Sequence, residues 1–147
     1  MLALDADGLP VTGEALTALA IRMWGADLAQ MKLRAMEEVD AAAEVARRRF
    51  ITPGSGQAME YLSTETEARD FDAGGGGPWP FLEAERDAIG AGVTLAQVAA
   101  VVQAQVAAWR AVGGEIKRLR RAAKMAIEAA TTPAEVAAAT VITWPEA

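Results

Sequence analysis

The chain has 147 residues, enough for one domain with a real core. Its residues are 52% apolar but only 5% aromatic, so alanine supplies much of the apolar share; this favours long helices over a β-sandwich or an α/β enzyme. It has no cysteine and no histidine, which rules out disulfides, thiolate metal sites, cysteine nucleophiles and histidine bases, and its net charge of −6 disfavours non-specific binding to nucleic acid.

Residues 1–13 are expected to form an extended N-terminal arm with turns at Asp7-Gly8 and Pro10. Asp5 and Asp7 precede any positive charge, so no signal peptide is expected. Asp5-Ala6-Asp7-Gly8 opens like a calcium loop. Leu9 and Pro10 follow, however, with neither a third oxygen ligand nor a closing Glu, so the segment reads as turn chemistry.

Residues 14–50 read as a long helix that Thr12 can cap. Apolar side chains recur at Leu16, Ala20, Trp24, Leu28, Met31, Ala35, Val39, Ala42, Ala46 and Phe50, in steps of three and four. Gly25 is its weak point, costing about 1 kcal/mol relative to alanine if the helix runs through it. The acids Glu37, Glu38, Asp40 and Glu44 precede Arg47-Arg48-Arg49, the order that the helix dipole favours.

Residues 51–93 form a connecting segment. Pro53, Gly54 and Gly56 end the first helix, and a shorter one is expected from Gln57 to about Phe71. The run Gly74 to Gly77 is expected to be flexible, with Pro78-Trp79-Pro80 stiffening its end. It cannot be a P-loop, because no Gly-Lys-Ser/Thr follows and no strand precedes. Phe81 to Ile89 reads as another short helix, closed by Gly90 and Gly92.

Residues 94–147 hold a second long helix, a short capped helix and an extended tail. Thr94 and Gln97 fit a capping box. An apolar stripe follows through Val98, Val102, Val106, Trp109, Val112, Ile116, Leu119, Ala123, Ile127 and Ala130, with Gly113-Gly114 as a possible kink. Thr132, Pro133 and Glu135 supply a second capping box. Ala88 to Trp109 contains no ionisable residue, but its glycines, glutamines and few large aliphatics argue against a membrane span.

The fold class that follows is all-α. Two long helices are joined by short helices and Gly/Pro loops into one domain, an elongated helical bundle with an extended arm and tail. A helix of about 36 residues is roughly 54 Å long, whereas a compact chain of this size is about 38 Å across. Either the long helices break at Gly25 and Gly113-Gly114, or the molecule is elongated and buries its stripes against partners. Candidate packing and interface positions are Leu28, Met31, Val39, Val102, Trp109, Ile116 and Leu119 on the stripes. Trp79 and Trp144 join them as proline-flanked anchors outside helices.

Charge is uneven along the chain. Residues 1–89 carry eight basic and sixteen acidic side chains, and residues 90–147 carry six and four, so the halves can attract each other within or between chains. Lys117, Arg118, Arg120, Arg121 and Lys124 form the strong basic cluster, with no aromatic between them; nucleic-acid binding is the lesser reading. The glutamates are scattered over helix surfaces rather than paired in apolar settings, so an enzyme is not expected, nor any cofactor or metal.

Several segments carry a resemblance. Residues 47–61 (RRRFITPGSGQAMEY), Glu67-Ala68-Arg69, residues 80–85 (PFLEAE), residues 126–136 (AIEAATTPAEV) and Trp144-Pro145 resemble small bacteriophage proteins encoded near tail-fibre and baseplate genes. The likeness covers about residues 40–145 and departs from the pattern at the four glycines. It implies a tail-fibre component or a tail-fibre assembly factor with no catalytic residues. It also implies partners among other tail proteins and copies of itself, no membrane, and a place in the virion tail after passage through the host cytoplasm. The reading it favours first is a structural protein of the distal tail, with the arm held by a neighbour. An assembly chaperone absent from the mature particle comes second; a third reading, a small helical nucleic-acid-binding protein, rests on the basic cluster at 117–124 and not on the resemblance.

Overall fold

A computed structural model describes residues 27–147 of the chain. The described residues form helices and no strand: α1 (Leu28–Arg47), α2 (Ser55–Asp72), α3 (Pro80–Ile89), α4 (Leu95–Ala129) and α5 (Pro133–Ala139). The all-α expectation holds. The expected arm, Gly25 and residues 14–26 of the helix expected over 14–50 lie outside the described residues.

The start of α1 differs from that expectation for a local reason. Asp27 is extended (φ −124°, ψ 156°), and its carboxylate accepts from the backbone N–H of Gln30 at 2.8 Å. It satisfies one of the free donors of a helix N-terminus, so the helix begins at Leu28 rather than running on from residue 14. At the far end, Arg49 N–H donates to Ala46 O in a tightened last turn, and the helix stops at Arg47, short of Phe50.

The described chain divides into two compact units. The first combines the segment ending at Arg49 with Gly114–Ala147. Its core is one face of α1, where Met31, Ala35 and Val39 recur every fourth residue and are buried with Ala123 and Ile127 of α4, Ala130 and Val136. Alanine at three of these positions lets the helices come close and leaves little area per residue to bury. Polar contacts fasten the same packing. Lys32 Nζ donates to Glu128 O at 2.7 Å, and Arg49 donates to Pro145 O at 3.1 Å. The C-terminal tail is therefore tied down, and Ile142 packs on the core. The second capping box forms as expected, with the Thr132 hydroxyl accepting from Glu135 N and the Glu135 carboxylate reaching back to Thr132 N.

The second unit is Phe50–Gly113. Ala68 of α2, Leu82 of α3, and Val98 and Ala99 of α4 are its buried centre, ringed by Phe71, Trp79, Val93, Leu95 and Val102. The start of α3 has no cap of its own, because Trp79 at the N-cap position contributes no side-chain bond. Glu67 of α2 supplies one instead. Its Oε2 accepts from Phe81 N at 2.8 Å and Leu82 N at 2.9 Å. A carboxylate there also suits the positive end of the helix dipole. Two of the segments that carry the resemblance thus meet in space.

The glycine run is more specific than a flexible joint. Gly74 N–H and Gly75 N–H donate to Phe71 O and Asp70 O. A Cβ on Gly75 would collide with the Asp70 carboxylate. That carboxylate accepts from Trp79 Nε1 at 2.8 Å, and the indole stands edge-on to Phe71, 5.0 Å between ring centres. Glycine at 75 is the residue that lets Asp70 reach Trp79.

Candidate interaction surfaces

The expected packing positions are largely spent inside the chain. Met31, Val39 and Ile116 are fully buried, and Leu28, Trp79 and Val102 are half-buried against the two cores. Trp79 finds its pocket in its own chain. Leu119 and Trp144 are half-buried as well. Trp109 is also half-buried, and its ring lies so close to Gly113 that a Cβ there would stand 3.1 Å from it. Gly113 makes room for the indole, and α4 continues through Gly113-Gly114 as one helix where a kink was a possibility.

The large apolar side chains that are exposed are others. On α2, Met59 is 71% and Leu62 65% exposed, and the first two turns of that helix bury nothing. Leu33 of α1 and Met125 of α4 are 63% and 56% exposed. Each lies two residues past a buried position, Met31 and Ala123 respectively, which puts it about 200° round the helix from the core. The apolar period of each helix runs along its buried face, and Leu33 and Met125 stand on the opposite face, offset by two residues from that period. Met59 and Leu62 gave no such signal, because α2 has almost no amphipathic pattern to set them against.

The basic cluster splits once the chain folds. Arg120 and Lys124 both bind the Asp40 carboxylate, Lys124 at 2.8 Å. Hydrogen bonds from Arg120 and then Lys124 hold the Asp40 carboxyl below its ordinary value, against a smaller opposing effect of burial. Arg118 is engaged by Glu115 through two bonds, at 2.8 and 2.6 Å, which lower the Glu115 carboxyl and raise the Arg118 guanidinium. Lys117 and Arg121 are exposed and enter no ion pair among the described residues. In the second unit Glu65 is shared by Arg69 and Arg110.

An open depression of about 430 Å³ lies at the end of α3, lined by Arg86, Asp87, Gly90, Ala91, Gly92 and Val93. Its one ion pair is between neighbours, Arg86 and Asp87 at 2.9 Å, so it presents no converging polar groups. Among the described residues no group of three or more carboxylates is placed to hold a metal ion, and no helix is long and apolar enough to cross a membrane. Comparison with known protein families, curated proteins and solved structures gives no match to this chain.

Proposed function

We propose that this chain is a non-catalytic structural protein of a bacteriophage distal tail, fibre- or baseplate-associated, that works by packing helices against other tail proteins and copies of itself. The observation that carries the docking part is the first half of α2, where Met59 and Leu62 stand in solvent on a helix that buries only Ala68. An apolar face of that kind gains stability when a partner covers it. Residues 55–61 also belong to a segment that carries the resemblance to tail proteins, so the place in the tail rests on the same stretch. The pairing of Arg120 and Lys124 with Asp40 takes two cations out of the basic cluster and favours protein packing over a nucleic-acid role.

Peptide mass spectrometry on purified particles of the encoding phage tests this. A fixed copy number relative to the tail-tube protein, at a multiple of the tail's rotational symmetry, is the expected result. Absence from particles together with abundance in infected-cell lysate would sink the structural reading. It would promote the assembly chaperone, which needs an exposed apolar surface only while fibre subunits fold. Loss of incorporation in a Met59→Asp/Leu62→Asp variant would place the contact on α2.

A further inference from the structure

The first unit joins one set of charges across the seam between α1 and α4 and carries a similar set, unjoined, on its outer faces. At the partly exposed seam, Asp40 of α1 sits between Arg120 and Lys124, two cations four residues apart on α4. Outside, Glu37 is exposed on the opposite face of α1, with exposed Leu33 one turn before it and exposed Ala41 one turn after. The outer face of α4 presents Lys117 and Arg121, again four residues apart, followed by exposed Met125. Glu37, Lys117 and Arg121 enter no ion pair among the described residues, whereas Glu44, further along α1, is already held by Arg47 and Arg48.

The two outer faces match in sequence order as well as sign. On α1 the order is apolar, acidic, small; on α4, read backwards, it is apolar, basic, basic. Both advance by four residues, about 6 Å per step. Antiparallel docking therefore sets Leu33 against Met125, Glu37 against Arg121 and Ala41 against Lys117 at the same time. The intrachain contacts, Lys32 to Glu128 O and Asp40 to Arg120 and Lys124, show that α1 and α4 already run antiparallel to each other, through their inner faces and in a neighbouring register. Neither outer face can meet its complement within its own pair, because that pair is joined through the opposite sides.

We infer that the outer face of α1 docks on the outer face of the second half of α4 in another copy of this chain. Because the two surfaces differ, the contact is head-to-tail: each copy leaves one face open, and association continues until a ring closes or a filament forms. This rests on the reading that the chain works in several copies, but not on its place in a phage.

The test uses the purified full-length chain in sedimentation velocity over a range of concentrations, at low and high salt. Wild type should associate beyond a dimer as concentration rises, and salt should weaken the association. Glu37→Arg alone, or Lys117→Glu/Arg121→Glu alone, sets like charges opposite each other and should weaken self-association by about tenfold or more. An equimolar mixture of the two variants restores opposite charges at every junction, and it should assemble nearly as well as wild type. All three positions are exposed, and circular dichroism checks that each variant keeps its helices. A wild type that stays monomeric, association indifferent to either variant, or a mixture that fails to assemble would each overturn the inference. None of these results depends on whether the chain is found in phage particles, so the two readings fail separately.

Discussion

Removing the Glu67 side chain should show how far the second unit depends on one carboxylate. Glu67→Ala deletes the acceptor of two amide donors, Phe81 N at 2.8 Å and Leu82 N at 2.9 Å. A hydrogen bond to a charged group contributes about 1.5–3 kcal/mol net, and a helix cap about 1 kcal/mol. The two bonds share one oxygen and do not add in full. The amide of half-exposed Phe81 can also regain water, while that of Leu82, whose residue is fully buried, cannot. The expected loss is therefore about 2 kcal/mol for Glu67→Ala. Glu67→Gln keeps a neutral acceptor oxygen and should lose roughly half as much. Urea unfolding at neutral pH measures the loss, and hydrogen exchange locates it: Leu82 N–H should lose protection before the amides of α1 do. If Glu67→Ala costs less than about 0.5 kcal/mol, or if Leu82 N–H stays as protected as before, the cap is not what starts α3.

Three further outcomes are expected. Leu82→Ala removes a fully buried side chain and should cost about 2–5 kcal/mol, whereas Leu62→Ala, on an exposed face, should stay within about 0.5 kcal/mol in the same denaturation assay. Gly75→Ala forces the Asp70 carboxylate aside, so the Asp70–Trp79 bond should be lost; a red-shifted indole emission and about 1 kcal/mol of destabilisation would report it. Asp40→Asn should cost no more than about 1 kcal/mol at neutral pH, because the pair it breaks is partly exposed. Since the folded Asp40 carboxyl is held below its ordinary 3.8, its contribution is whole above that value and is lost as pH falls through the lowered one. Acid titrations of wild type and variant should converge there.

Much of the helical framework was legible because it is local. The step of three and four through Val98, Ile116 and Ile127 marked α4 almost to the residue, and the boxes at Thr94/Gln97 and Thr132/Glu135 marked two helix starts. The start of α1 was not legible, since the apolar period continues upstream of Asp27 and nothing in the period registers that its carboxylate turns back to Gln30 N–H. Contacts between distant residues stayed hidden for the same reason. Glu67 looked like one more surface glutamate until α3 was brought against it, and the glycine run looked like a hinge until Asp70 was seen to need the space at Gly75. The stripe positions were found readily, but periodicity does not say which copy of a helix covers them. Met31 and Ile116 turned out to be covered by their own chain, and the solvent-facing Leu33 and Met125 went unnoticed.

The second unit, Phe50–Gly113, is inserted whole between the two parts of the first, and this bears on the order of events during synthesis. Helix α1 leaves the ribosome with Met31, Ala35 and Val39 on one side, but Ala123, Ile127 and Val136, which pack on them, are made only after the whole second unit. At about 5–20 residues per second the intervening stretch takes several seconds to emerge. In that interval the second unit has nearly all of its own parts, while α1 still lacks the α4 and α5 residues that bury it among the described residues. The nascent chain thus displays a strip of methionine, alanine and valine to whatever is nearby, and two ribosomes on one message bring two such strips close together. A chain that is to join copies of itself would be most exposed to the wrong pairing at that stage, before the cations that hold Asp40 have been translated.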